Sequence, residues 1–208
     1  MSYGYIRPKF RFYRDEVRDI VLAIAVLTVA FAILISPFPY GSLTLFHFAV
    51  AFIAVLTAFF LHEMAHKYMA FKYGYPAAFR AWRTGLIIAV ISSFMGFLFA
   101  APGAVYIYGY PSKEENGKIS AAGPLTNIIG GFIFLFFAVI LNISLGYTSI
   151  LSYILIYISS LNFFLAFFNV LPIGPMDGMK ILNWNVGVFF ILLFLSIAGL
   201  ASTYLLPP

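Results

Sequence analysis

The sequence predicts an all-α polytopic membrane protein, with about five transmembrane helices and a re-entrant or strand-like segment near residues 86–110. Three observations lead there. Hydrophobic residues make up 63% of the 208 and charged residues only 9%, with a mean hydropathy of +1.00. A soluble domain carries about a quarter charged residues, so a folded chain this apolar must use lipid as part of its solvent. The apolar residues also gather into runs of the length a bilayer demands, about 20 residues. Finally, all the Lys and Arg residues fall on one side if five of those runs cross.

The runs are Val17–Ser36, Leu43–Ala70, Ile119–Leu141, Ser149–Leu171 and Val186–Leu205. Before the first lies a mixed segment, Arg7 to Asp19, where Asp15, Glu16 and Asp19 accompany the basic residues. It reads as a juxtamembrane flank and not as a nucleic-acid arm, so the net charge of +5 implies no nucleic-acid partner. A cleaved signal would place a short apolar stretch soon after a few basic residues; here the basic segment is long and the apolar one runs on to Ser36. Pro37–Ser42 and Asn142–Thr148 are short, rich in turn formers and uncharged, so each should close an antiparallel hairpin.

Leu86–Ala101, at about 16 residues, is just below the usual spanning length. Charge argues against its crossing. With five spans, Arg7 to Arg18, Lys67, Lys72, Arg80, Arg83, Lys113, Lys118 and Lys180 share one side; a sixth would send Lys113 and Lys118 across. The positive-inside rule therefore puts the N-terminus and the basic loops in the cytoplasm and makes this segment re-entrant or strand-like. Pro102-Gly103 followed by Val105–Tyr108 suggests extended backbone, which survives at membrane depth only under cover of protein or a water-filled cavity. No linker or repeat divides the chain. A single membrane-embedded unit over 1–208 is expected, with a basic flank at 1–16 and a core over about 43–180.

With no cysteine, any metal must be held by His, Asp, Glu or backbone oxygen. Leu61-His62-Glu63-Met64-Ala65-His66 lies near the cytoplasmic end of the second run. On a helix His62 and His66 share one face; two imidazoles so placed can hold one zinc ion, with Glu63 as general base on a metal-bound water. A Glu within an apolar span costs roughly a few kcal/mol, and intramembrane ionisable groups are usually functional. The bland competitor is a Glu63 bonded to one His merely to hold helices together.

A catalytic zinc takes three protein ligands and keeps a position for water. Asp15, Glu16 and Asp19 flank the first run, and Glu114 and Glu115 lie in a hydrophilic loop. Asp177 follows the fourth run, inside Asn169-Val170-Leu171-Pro172-Ile173-Gly174-Pro175-Met176-Asp177-Gly178, where two prolines and two glycines end a helix. Taken alone, Asp-Gly is an ordinary turn. With five spans, however, the ends of the second and fourth share the cytoplasmic side, and Asp177 can reach His62 and His66.

The pair HExxH and N-x-x-P-x-x-P-x-D-G, with Ala122-Gly123-Pro124-Leu125-Thr126-Asn127 opening the span between, resembles the site-2 protease family of intramembrane zinc metalloproteases over about residues 43–180. The resemblance implies one zinc per chain on His62, His66 and Asp177, with Glu63 activating the water. It also implies that Asn169 stabilises the oxyanion or holds the substrate backbone; otherwise Asn169 simply bonds a neighbouring helix. The implied reaction hydrolyses a peptide bond within or near a substrate protein's transmembrane segment. Gly123 and Asn127 read as packing residues. His47 lies about 22 Å from His62 along a helix at 1.5 Å per residue and reads as structural.

Met179 departs from the family's usual Gly, and Leu86–Ala101 is longer and more apolar than expected there. No PDZ or cystathionine-synthase-like domain is read, so an appended domain is not expected to recruit substrate. Two other classes remain: a membrane zinc transporter, which needs a second polar cluster in facing spans that this chain lacks, and a catalytically silent relative that binds membrane proteins. Partners are thus a membrane-protein substrate and the lipid bilayer. The site should face the cytoplasm, and the compact size suits a prokaryotic cell membrane.

Overall fold

A computed structural model describes residues 10–36, 42–99, 101–145 and 149–205. In chain order the elements are α1 (Arg14–Ile35), α2 (Leu45–Val55), a π-helical turn (Leu56–Phe60), α3 (Leu61–Lys72), β1 (Ala77–Ala81), α4 (Arg83–Ser93), β2 (Gly103–Ile107), α5 (Lys113–Leu145), α6 (Ile150–Val170), α7 (Asp177–Trp184) and α8 (Val186–Leu205). Through the π turn, α2 and α3 form one rod, Leu45–Lys72. Among the described residues, that rod, α1, α5, α6 and α8 are the five helices long and apolar enough to cross a membrane. Their outward faces remain apolar, as with Phe132 and Phe136 on α5 and Phe190 and Phe194 on α8. Such a surface is stable against lipid and not against water. The chain is an integral, multi-pass membrane protein.

Each expected span is present. The third is longer than Ile119–Leu141, because its helix begins at Lys113 and runs on to Leu145. The expected turn at Pro37–Ser42 lies almost wholly outside the described residues, as do positions 146–148 of Asn142–Thr148 and the first part of the basic flank.

The expected non-crossing segment near 86–110 consists of a short helix followed by an extended piece. Residues 83–93 are helical and not strand-like: α4 buries Leu86 and Ala89, one turn apart, against α1. Its run of Ile and Val suggests extended backbone, but packing on α1 outweighs that weak local preference. At 11 residues α4 is far too short to cross. The extended piece is β2, which pairs antiparallel with β1 in the register Phe79↔Val105. The alanine-rich β1 carries little strand signal.

Two apolar clusters flank the site. One joins α1, the end of α2, the π turn, β1 and α4 through Leu27, Val55, Phe59, Phe79 and Leu86. The other joins α5 to α8 through Ile128, Phe163, Val170, Ile181 and Phe189. Helix α5 packs against both α3 and α7 and so bridges the residues that sequence reasoning singles out.

Candidate metal centre

His62 and His66 lie one turn apart at the start of α3 and are almost wholly buried. Their rings meet nearly edge to face, 4.6 Å between centroids, with Nε2 atoms 3.0 Å apart. Helix α5 sets both orientations. The Ile119 carbonyl lies 2.8 Å from His66 Nδ1, and Asn127 Oδ1 lies 2.5 Å from His62 Nδ1. A carbonyl oxygen can only accept, so His66 carries a proton on Nδ1.

Asp177 arrives from the other side. Pro172 and Pro175 prevent α6 from continuing, and Gly174 turns the chain with a φ of 55°. Helix α7 then begins at Asp177 itself. Gly178 lets this turn lie against the end of α6: a Cβ there would collide with the Val170 and Leu171 carbonyls. Asp177 Oδ2 is 3.0 Å from His66 Nε2 and 3.5 Å from His62 Nε2, while Oδ1 lies 3.7 Å from Lys180 Nζ. Burial pushes the Asp177 carboxyl up, but positive charge shared with His66 and His62 overrides this and holds it below the usual carboxylate range.

Three electron-pair donors therefore converge on one buried point, an arrangement that repels itself unless a cation or protons occupy it. A tetrahedral zinc with bonds of about 2.0–2.1 Å would hold its ligand atoms about 3.3 Å apart; the observed separations are 3.0, 3.0 and 3.5 Å. Two imidazoles and a carboxylate suit that ion. Among the described residues, His62, His66 and Asp177 form the group of three able to hold a metal ion. Gly123 supplies the remaining condition, since a Cβ at that position would press on both Nε2 atoms.

Glu63 is half-buried, and its Oε2 accepts a 3.1 Å hydrogen bond from the Val105 amide. The flanking bonds Tyr108 N–H to Pro76 O and Trp82 N–H to Pro102 O set the hairpin's alternation, so the Val105 N–H points away from β1. The free edge of β2 thus faces the Glu63 carboxylate. Asn169 is half-buried near the end of α6, and its amide donates to Leu165 O of its own helix, 2.9 Å away, not to a neighbouring helix. His47 caps the start of α2 through Thr44, as a structural residue would.

Sequence reasoning under-reads Gly123 and Asn127. It assigns both to helix packing, yet one leaves space at the imidazoles and the other bonds His62. An Asn inside an apolar span is costly to leave unpaired, and that is the signal available.

The chain is similar to three curated proteins. A protein of Methanocaldococcus jannaschii named as a candidate zinc metalloprotease is 46% identical, covering 85% of this chain and 87% of the relative. One from Bacillus subtilis, similarly named, is 30% identical over 70% of this chain and 72% of its own length. A zinc metalloprotease of Methanocaldococcus jannaschii is 32% identical over 65% of this chain but only 34% of its own length. No family model matches the chain. No solved structure matches it significantly. With a near full-length relative at this identity, spanning helices and a His-His-Asp metal site, the chain belongs to the zinc-metalloprotease family related to the site-2-type intramembrane proteases.

Proposed function

We propose that this protein is an intramembrane zinc endopeptidase, hydrolysing peptide bonds within or near the transmembrane segments of other membrane proteins. The observation that carries the reading is the convergence of His62 Nε2, His66 Nε2 and Asp177 Oδ2 at the end of an apolar rod, one residue from Glu63. His62, His66 and Asp177 would hold one zinc ion. When bound, that ion supplies a Lewis acid, which polarises a carbonyl and makes water a nucleophile at neutral pH. Glu63 takes the proton of the attacking water and passes it to the leaving amine nitrogen.

A substrate helix hides its carbonyls in internal hydrogen bonds, so the scissile segment must be extended. The free edge of β2 beside Glu63 offers main-chain partners for it. Asn169, at rest on Leu165 O, is assigned to the substrate backbone or the developing oxyanion. The chain acts as one unit over residues 1–208, with its basic flank at 1–16 and its core over about 43–180. The positive-inside pattern supports a cytoplasmic N-terminus and active site in a prokaryotic cell membrane.

Zinc content and cleavage of a model transmembrane substrate in detergent test this reading together. About one zinc per chain is expected in the wild type, with strong loss in Asp177→Ala. Glu63→Gln should keep its zinc and lose cleavage. A wild type that binds no zinc when metal is replete, or a Glu63→Gln variant that still cleaves, would overturn it.

A further inference from the structure

We propose that Asn127 is a positioning residue that commits His62 to metal binding by accepting its Nδ1 proton, and that Asn162 and the π turn fix Asn127 in the one orientation able to do so. The inference rests on the metal-centre reading above.

A neutral imidazole carries one proton, on either nitrogen. For His66 the choice is made by a backbone carbonyl, Ile119 O. His62 has no such carbonyl; its Nδ1 faces the Asn127 side chain, and an amide can turn either its oxygen or its nitrogen to a partner. Were Asn127 to present its NH2 group, His62 would accept at Nδ1 and carry its proton on Nε2. That proton would point at Asp177, and the two would form a structural hydrogen-bonded clasp in place of a ligand pair.

The surrounding bonds remove this freedom step by step. Asn162 Nδ2 donates to Ile158 O at 2.9 Å, an atom that can only accept. Asn162 must therefore turn Oδ1 towards Asn127, where it receives Nδ2 at 3.1 Å. The second proton of Asn127 Nδ2 goes to Ala58 O at 2.7 Å, again a pure acceptor, inside the π turn that immediately precedes α3. Both amide protons are committed, so Asn127 Oδ1 faces His62, and His62 Nδ1 must donate. Nε2 is left as a lone pair directed at the other two ligands. Asn127 and Asn162 are both completely buried, and no solvent competes for these bonds.

Ile119, Gly123 and Asn127 follow one another at intervals of four along α5. One stripe of that helix thus orients the first imidazole, leaves space for a cation and orients the second. The π turn also gains a purpose, because the Ala58 carbonyl it presents holds Asn127 in place.

The test compares Asn127→Leu, Asn127→Ser and Asn127→Asp with the wild type in detergent. Two quantities are read: zinc affinity by chelator competition, and the protonated nitrogen of His62 by 1H–15N NMR of the metal-free, 15N-labelled protein at alkaline pH. The wild type should carry its proton on Nδ1. Leucine removes the acceptor, and the serine hydroxyl is too short to reach the ring while still serving Ala58. Either should move the proton to Nε2 and weaken zinc binding about 10–100-fold. The Asn127→Asp variant keeps an acceptor for the ring and should leave the proton on Nδ1, although its second oxygen loses the donations to Ala58 O and Asn162 Oδ1. If Asn127→Leu fails to fold, Asn127→Ser decides. A proton on Nδ1 and unchanged zinc affinity in either variant would overturn the proposal, as would a wild-type proton on Nε2. If the wild type binds no zinc, the metal-centre reading falls, and the NMR arm still judges the relay alone.

Discussion

At Gly123 a single methyl group decides whether a cation has room. Most small residues in membrane helices let backbones approach; this one faces the two Nε2 atoms themselves. Gly123→Ala should leave the fold intact, because Ala is the better helix former by about 1 kcal/mol, yet weaken zinc binding at least about tenfold. Chelator competition alongside a thermal melt separates the two effects. The histidine pair was legible because four-residue spacing on a helix is local geometry. The partners of the imidazoles were not: Ile119 and Asn127 lie 53 and 65 residues away in sequence, and a carbonyl leaves no trace in residue type. Apart from the family resemblance, Asp177 was reachable only through topology, since its approach depends on which helix ends share a side.

Among the elements, α7 is the one whose placement the metal centre cannot lose. It is only eight residues long, too short to be stable alone, and it is held by burial of Ile181 in the α5–α8 cluster and by the close approach at Gly178. Gly178→Ala would force its first turn away from the Val170 and Leu171 carbonyls and carry Asp177 with it. The expected result is a protein that still inserts and folds but has lost most of its zinc, measured by metal content per chain in the purified protein. The five spans were readable from length and hydropathy alone, because the bilayer imposes both. The extended piece that became β2 was readable too; β1 and α4 were not, since a five-residue strand of mostly alanine has almost no pattern. A β-branched apolar run of about ten residues also fits helix or strand until its packing partner is known.

For the molecule as a whole, the tie between the rod that carries His62 and His66 and the hairpin is a buried ion pair. Lys67 and Glu16 are both completely buried, 2.5 Å apart. Lys67 Nζ also donates to Arg11 O and lies 4.2 Å from the centre of the Phe12 ring. Glu16 accepts from the Phe79 amide of β1 and from the Tyr13 amide that opens α1. One pair thus pins α1, α3 and β1 together, and through β2 it sets where Val105 meets Glu63. Glu16→Gln, which strands the Lys67 charge, should destabilise the protein by about 3–5 kcal/mol. Glu16→Gln combined with Lys67→Met should recover much of that, both followed by denaturant unfolding in detergent. Nothing in the sequence marked the pair, because Glu16 sits in a flank of mixed charge and Lys67 reads as one more basic residue at a helix end.

Heat acts on that clasp in the opposite sense to its action on the rest of the fold. Hydration of charged groups becomes less favourable as temperature rises, so the penalty for keeping Glu16 and Lys67 out of water shrinks, while apolar burial gains nothing comparable. The junction holding the catalytic rod to the hairpin therefore tightens relative to its surroundings as the bundle warms. Loosening on heating should begin at the helix ends far from it and reach the active-site end last.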